Sequence, residues 1–141
     1  MKLNDEVVDF LLNGGESNIV LVSTVSEFGV VNLSPRAILD IDRSGAEDKI
    51  YFNHVFPNKT LYNLRKNLKA SISKYISDVN GIVKMVVIKG RVNNLTSGDK
   101  YEELAKLSPQ RMSVVKKGIV SAVPKPVALT EFIVEEVELY P

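Results

Sequence analysis

Strand-length apolar runs recur along this chain with turns or short helices between them, and that spacing restricts the fold more than any other feature. Asn18–Ser26 and Val30–Ile41 flank the turn Glu27-Phe28-Gly29 and read as a hairpin. Lys49–Asn53, Lys69–Ile76, a long run from about Ile82 to Asn94, and Ala128–Val137 supply four more strands. No long helix regularly separates consecutive strands, so a doubly wound parallel sheet is not expected. Six strands with three or four short helices predict a mainly β fold, a small and mostly antiparallel barrel with helices packed outside. The fifth strand is apolar on both faces through Ile88, as in a barrel wall that also meets another element or a second subunit. A chain of 141 residues is long enough for one domain with a proper core, here residues 1–141.

Between the strands, Asn4 can cap a helix with Val7, Val8, Leu11 and Leu12 on its buried side, ended by Gly14-Gly15. Pro57 and Asn58 open a second helix, with Leu61, Leu64 and Leu68 spaced to face the core. Thr96 and Asp99 fit a capping arrangement ahead of Tyr101, Leu104 and Leu107. Ser108-Pro109 begins a further helix to about Lys117, and Val120–Val127, carrying two prolines, reads as an extended connector.

Composition removes whole classes of function. Eighteen basic against seventeen acidic residues leave a charge of +1, so no broad footprint for nucleic acid is expected. The apolar runs Ile19–Val22 and Met85–Ile88 are too short to span a membrane, and Met1–Glu6 has no signal-type core, so the expected location is cytoplasmic. The absence of cysteine excludes disulfides, thiolate catalysis and cysteine metal sites, and the single His54 excludes any multi-histidine metal site. No Walker loop, dinucleotide fingerprint or serine nucleophile elbow occurs.

Four constellations carry chemistry. On the second helix, Lys59 and Asn63 lie one turn apart, on the side expected to be free of Leu61 and Leu64. With the Thr60 hydroxyl, the first-turn N–H groups and the positive dipole end, they converge on a spot suited to phosphate; an ordinary capped surface helix is the alternative. The strand Val31–Leu39 alternates cleanly, lining up Asn32, Ser34 and Arg36 on one face. That row ends in a guanidinium suited to phosphate or a carbonyl-rich ring, or else it is simply a solvent-facing strand. Asn53-His54-Val55-Phe56 follows a strand end, where backbone groups can bond the edge of a planar ring; a plain connecting loop is the other reading, and no acid–base partner for His54 is visible. Lys84 and Lys89 interrupt an apolar strand and must reach water, a carboxylate or a ligand, while Gly90 suggests a bulge or a close approach.

Taken in order, several pieces resemble one family: the hairpin Val20–Val25 to Gly29–Pro35, then Lys49–Asn53, Asn58–Asn67, Ala70–Ser73 and Val87–Val92. From about Glu16 to Glu103 the chain is similar to the pyridoxamine 5′-phosphate oxidase-related flavin-binding split barrels. The resemblance implies a six-stranded antiparallel split β-barrel with short peripheral helices, and a homodimer holding FMN at the subunit interface. Lys59 and Thr60, with Asn58 at the helix mouth, match the family's phosphate-binding pair, and Asn63 is a helper on that helix. Ser34, Pro35, Arg36 and Ala37 match the strand beside the ring and ribityl chain. Asn53, His54 and Val55 match the loop at the ring's polar edge, and Lys84 the strand brought near the cofactor or the dimer seam. The implied function is an FMN-binding oxidoreductase acting on an unidentified small molecule or redox partner, with no catalytic residue identified. Alternatives are a non-catalytic flavin-binding or electron-carrying module and a reductase using the deazaflavin F420; some relatives bind haem, for which one histidine gives little support. True vitamin B6 oxidases use a C-terminal tryptophan and arginine; this chain has no tryptophan and ends at Pro141, so that oxidation is not expected.

Overall fold

The computed structural model describes residues 1–81, 83–107 and 125–141. The helix expected from Ser108-Pro109 and most of the connector from Val120 lie outside them. Helix α1 (Asp5–Asn13) starts where anticipated, with the Asn4 side chain accepting from the Val7 amide at 2.8 Å. Val7, Phe10 and Leu11, three and four residues apart, are its buried side, flanked by half-buried Val8 and Leu12. At the far end the buried Lys74 ammonium donates to the carbonyls of Leu11 (3.1 Å) and Ser17, a suitable counter-charge for the helix C-terminus.

The strands are β1 (Ile19–Val25), β2 (Val31–Ala37), β3 (Asp40–Asp42), β4 (Lys49–His54), β5 (Lys69–Ser77), β6 (Val83–Leu95) and β7 (Ala128–Tyr140). They form one antiparallel sheet in the order β2-β1-β5-β6-β7-β4-β3. There are seven rather than six because the run Val30–Ile41 is divided. The Ile38 amide donates to the Asn18 carbonyl at 3.0 Å, and the next amide, Leu39, donates to the Tyr51 carbonyl at 2.8 Å. Two successive residues thereby carry the chain from one edge of the sheet to the other. The sheet must curl to allow it, which gives the half-closed barrel.

Inside the curl pack Val20, Val22, Ile50, Phe52, Ile72, Val86, Ile88, Val92, Phe132 and Val134 from five strands, joined by α1 and by Leu64 of α2 (Lys59–Lys66). Each such side chain contributes roughly 1.5–3 kcal/mol of burial. A smaller cluster of Tyr51, Leu129, Tyr101, Leu104 and Ala105 seats α3 (Asp99–Ala105) outside the sheet. Two expectations at helix ends fail. Leu68 lies beyond the end of α2 and is exposed, and α3 is preceded by Gly98 at φ +101° with no side-chain cap from Thr96. No helix among the described residues is long and apolar enough to cross a membrane.

Candidate functional site

The polar row of β2 faces inward. Opposed residues of an antiparallel pair share a face, and Asn32, Ser34 and Arg36 stand opposite Thr24, Val22 and Val20, all buried on β1. Val31 and Leu33 on the other side are 68% and 56% exposed. A strand with polar residues inside and apolar residues outside is the reverse of a plain surface strand, and it positions the site.

Each inward residue has a distinct partner. Asn32 Nδ2 donates to Thr60 Oγ1 at 3.1 Å, and Ser34 Oγ lies 2.6 Å from the same oxygen. The two hydroxyls hold two protons and share one, which leaves one to donate elsewhere. Arg36 Nη1 donates to the carbonyl of Pro35 at 2.7 Å, and Nη2 lies 3.5 Å from His54 Nδ1. No carboxylate pairs with Arg36 among the described residues, and burial pushes its pKa below the usual guanidinium value.

Helix α2 delivers the second wall. Asn58 caps it, accepting from the Leu61 amide at 2.8 Å, and its Nδ2 lies 3.4 Å from His54 Nδ1. The amides of Lys59 and Thr60, in the first turn, have no intrahelical acceptor. Lys59 is exposed and has no ion-pair partner among the described residues. Asn63 is not on the side of Lys59. Only 1% exposed, it donates through Nδ2 to Thr24 Oγ1 at 3.0 Å, because it lies three residues after the buried Thr60 and shares its stripe.

Between β2, the end of β4 and the start of α2 opens a cavity of about 430 Å³. Its walls are Pro35, Arg36, Ala37, Asn53, His54, Val55, Phe56 and Asn58, with Ile19 at the side. The hairpin and the strand-to-helix connection, remote in sequence, thus meet in one place. Ser34 and Thr60 lie next to it at the β2–α2 contact, whereas Asn63 sits further along α2 against Thr24 of β1. Asn53 Nδ2 is covered and has no hydrogen-bond partner among the described residues. Lys84 is not brought to this cavity within the chain: its Nζ pairs with Glu6 at 3.2 Å and lies 4.9 Å from the Phe10 ring centre.

His54 is 1% exposed, and its Nε2 lies 2.8 Å from Thr130 Oγ1. Thr130 in turn donates to Asn94 Oδ1 at 3.0 Å, and Asn94 Nδ2 donates to the Leu64 carbonyl at 3.2 Å. Burial, then the positive charge of Arg36, pushes the imidazole pKa down to about 3, with Asn58 opposing only in part. His54 is therefore neutral near pH 7 and is not a proton donor there. Thr130 and Asn94 carry little signal in the sequence, the one available being a threonine within the strand-forming run Ala128–Val137. Among the described residues no three His, Asp or Glu side chains gather as a metal site.

Structures with this architecture are known. HupZ from Group A Streptococcus is 20% identical, with 98% of this chain and 94% of that chain covered, at a TM-score of 0.70. An FMN-binding protein from Syntrophomonas wolfei is 16% identical over 96% of this chain and 85% of that one, at a TM-score of 0.67. HutZ from Vibrio cholerae, described as a haem storage protein, is 17% identical over 99% and 94%, at a TM-score of 0.64. At these identities the likeness shows the fold alone. No curated protein sequence matches the chain. The family model for pyridoxamine 5′-phosphate oxidase matches residues 3–140, and the half-closed antiparallel barrel with its cavity at the β2–β4–α2 junction is in keeping with it: the chain belongs to the pyridoxamine 5′-phosphate oxidase family.

Proposed function

We propose that this protein is a cytoplasmic flavoprotein that binds FMN in the cavity between β2, β4 and α2 and takes part in oxidation–reduction. The observation that carries the proposal is a half-buried guanidinium that pairs with no carboxylate among the described residues, facing a cavity beside a helix start whose lysine has no ion-pair partner among them and whose first two amides lack an intrahelical acceptor. The donor set suits a phosphate ester with a carbonyl-bearing ring: Lys59, the first-turn amides and the spare Ser34/Thr60 proton at the phosphate, Arg36 and the 53–55 segment at the ring. A cavity of about 430 Å³ falls within the range of small-molecule sites. Bound FMN would supply the hydride or electron transfer. The side chains would bind and orient it and keep one side of the ring dry.

Lys59→Ala is expected to weaken FMN affinity at least tenfold, since a charge-assisted contact contributes about 1.5–3 kcal/mol. Fluorescence titration reads this directly, and unchanged affinity would remove Lys59 from the phosphate site.

The same reading includes a second subunit. Ile19, Leu21, Val31 and Leu33 form an apolar patch on the outer face of the β1–β2 pair, and Ile19 and Pro35 of that face also line the cavity. A second copy of the chain seated on it would cover the patch and complete the cavity wall. Light scattering at micromolar concentration is expected to give a dimer, and Leu33→Asp is expected to shift it to monomer with loss of FMN. A wild-type monomer that binds FMN with undiminished affinity would refute the shared site.

Within the proposal an electron-carrying module has specific support: among the described residues no carboxylate lines the cavity, and His54, with its pKa held down at about 3, is neutral near pH 7, hence no acid there and only a weak base. Anaerobic mixing of the loaded protein with nicotinamide nucleotides separates the forms, rapid bleaching of the flavin band favouring the enzyme.

A further inference from the structure

The hydrogen bonds behind His54 fix more than its position. Asn94 donates its Nδ2 to the Leu64 carbonyl, so its Oδ1 must be the atom that faces Thr130. Thr130 has one hydroxyl proton and uses it on that oxygen. Its lone pair then accepts from His54, which places the imidazole proton on Nε2 and leaves Nδ1 as a bare acceptor. The two donors nearest Nδ1, on Arg36 and Asn58, lie at 3.5 and 3.4 Å, too long to satisfy it fully. His54 lines the cavity between Arg36 and Asn58, so Nδ1 meets it as a weakly engaged lone pair directly beside a guanidinium.

That pairing discriminates between ligand groups. A phosphate or carboxylate offers only lone pairs; it would satisfy Arg36 and repel Nδ1. A group with an N–H next to a carbonyl satisfies both, the carbonyl accepting from Arg36 while the N–H donates to Nδ1. We infer that His54, its tautomer locked through Thr130 and Asn94, is the specificity determinant of the cavity, and that with Arg36 it reads a lactam edge on the ligand. The inference rests on the flavin reading, since the pyrimidine ring of a flavin carries such an edge. It gives Arg36, already placed at the ring, a carbonyl as its partner there. It also makes Thr130 and Asn94 positioning residues, which touch no ligand and set the protonation of the one that does.

The test compares FMN with its N3-methyl derivative, which keeps the carbonyls and the phosphate and lacks the N–H. Fluorescence titration of the wild-type protein is expected to show the methylated flavin binding at least tenfold more weakly. Thr130→Val, which releases the tautomer, is expected to narrow that gap. Because the chain holds a single histidine, ¹⁵N-histidine NMR reports the lock without any variant. A protonated Nε2 and an unprotonated Nδ1 are expected in the free protein, with the Nδ1 resonance moving when FMN binds. Equal affinity for the two flavins would overturn the lactam assignment and leave flavin binding standing. Binding of neither would overturn the flavin reading together with the inference, and an Nδ1-protonated imidazole in the free protein would overturn the tautomer lock on its own.

Discussion

Gly90→Ala is expected to lower folding stability by about 3 kcal/mol, near the upper end of the cost of overpacking a core. A Cβ at that position would lie 2.2 Å from the Ile133 carbonyl oxygen and 2.8 Å from two ring carbons of Phe132, which is fully buried. A flexible side chain can step aside, but a carbonyl in a strand cannot without moving the strand. The loss of unfolded-state freedom that usually favours alanine, about 0.4–1 kcal/mol, is too small to offset this. Urea unfolding at pH 7 measures the difference, and a midpoint equal to or above that of the wild type would be incompatible with the close approach. The substitution reaches the site as well. The register of β6 against β7 shifts between Lys89 and Gly90, and that shift sets Asn94 opposite Thr130. A strand displaced at Gly90 would separate those two side chains, and the His54 signal would change in the NMR spectrum even where the protein still folds.

The Gly90 bulge was legible in the sequence because a glycine inside an apolar strand has few other purposes. The α1 and α2 caps were legible for a similar reason, since an asparagine with its first apolar residue three positions on needs only local geometry to act. Partition of the Val30–Ile41 run into β2 and β3 was not, because every residue in it suits a strand and the break arises from the two sheet edges competing for successive amides at Ile38 and Leu39. Direction was the second blind spot. Alternation along β2 separates Asn32, Ser34 and Arg36 from Val31 and Leu33, but only pairing with β1 decides which set faces inward. The same limit misplaced Asn63, whose polarity argued for the outside of α2 while its spacing from Thr60 put it inside. Cavity-lining residues on consecutive stretches, Arg36, 53–56 and Asn58, could be named in advance as candidates. Thr130 and Asn94, which act through hydrogen bonds across three strands, could not.

The stability of the protein is expected to fall between pH 7 and pH 5 by about 2 kcal/mol on account of His54 alone. In the unfolded chain the imidazole titrates near its ordinary value of about 6.5, whereas burial and the Arg36 charge hold the folded value down at about 3. Between those two values the unfolded state binds the additional proton, so the unfolding free energy rises with pH across the window and is lost as pH falls through it. The limiting slope is about 1.4 kcal/mol per pH unit for one proton. Asp and Glu side chains add their own slope at lower pH, so the wild type must be compared with His54→Gln, in which a neutral amide can still donate to Thr130. Denaturant unfolding from pH 7 to pH 5 is expected to show the two stabilities converging or crossing as the histidine protein loses its share. Parallel profiles would mean that the imidazole takes up a proton in the folded state. The lone pair beside Arg36 would then be gone, and with it the physical basis for any ligand N–H at that wall.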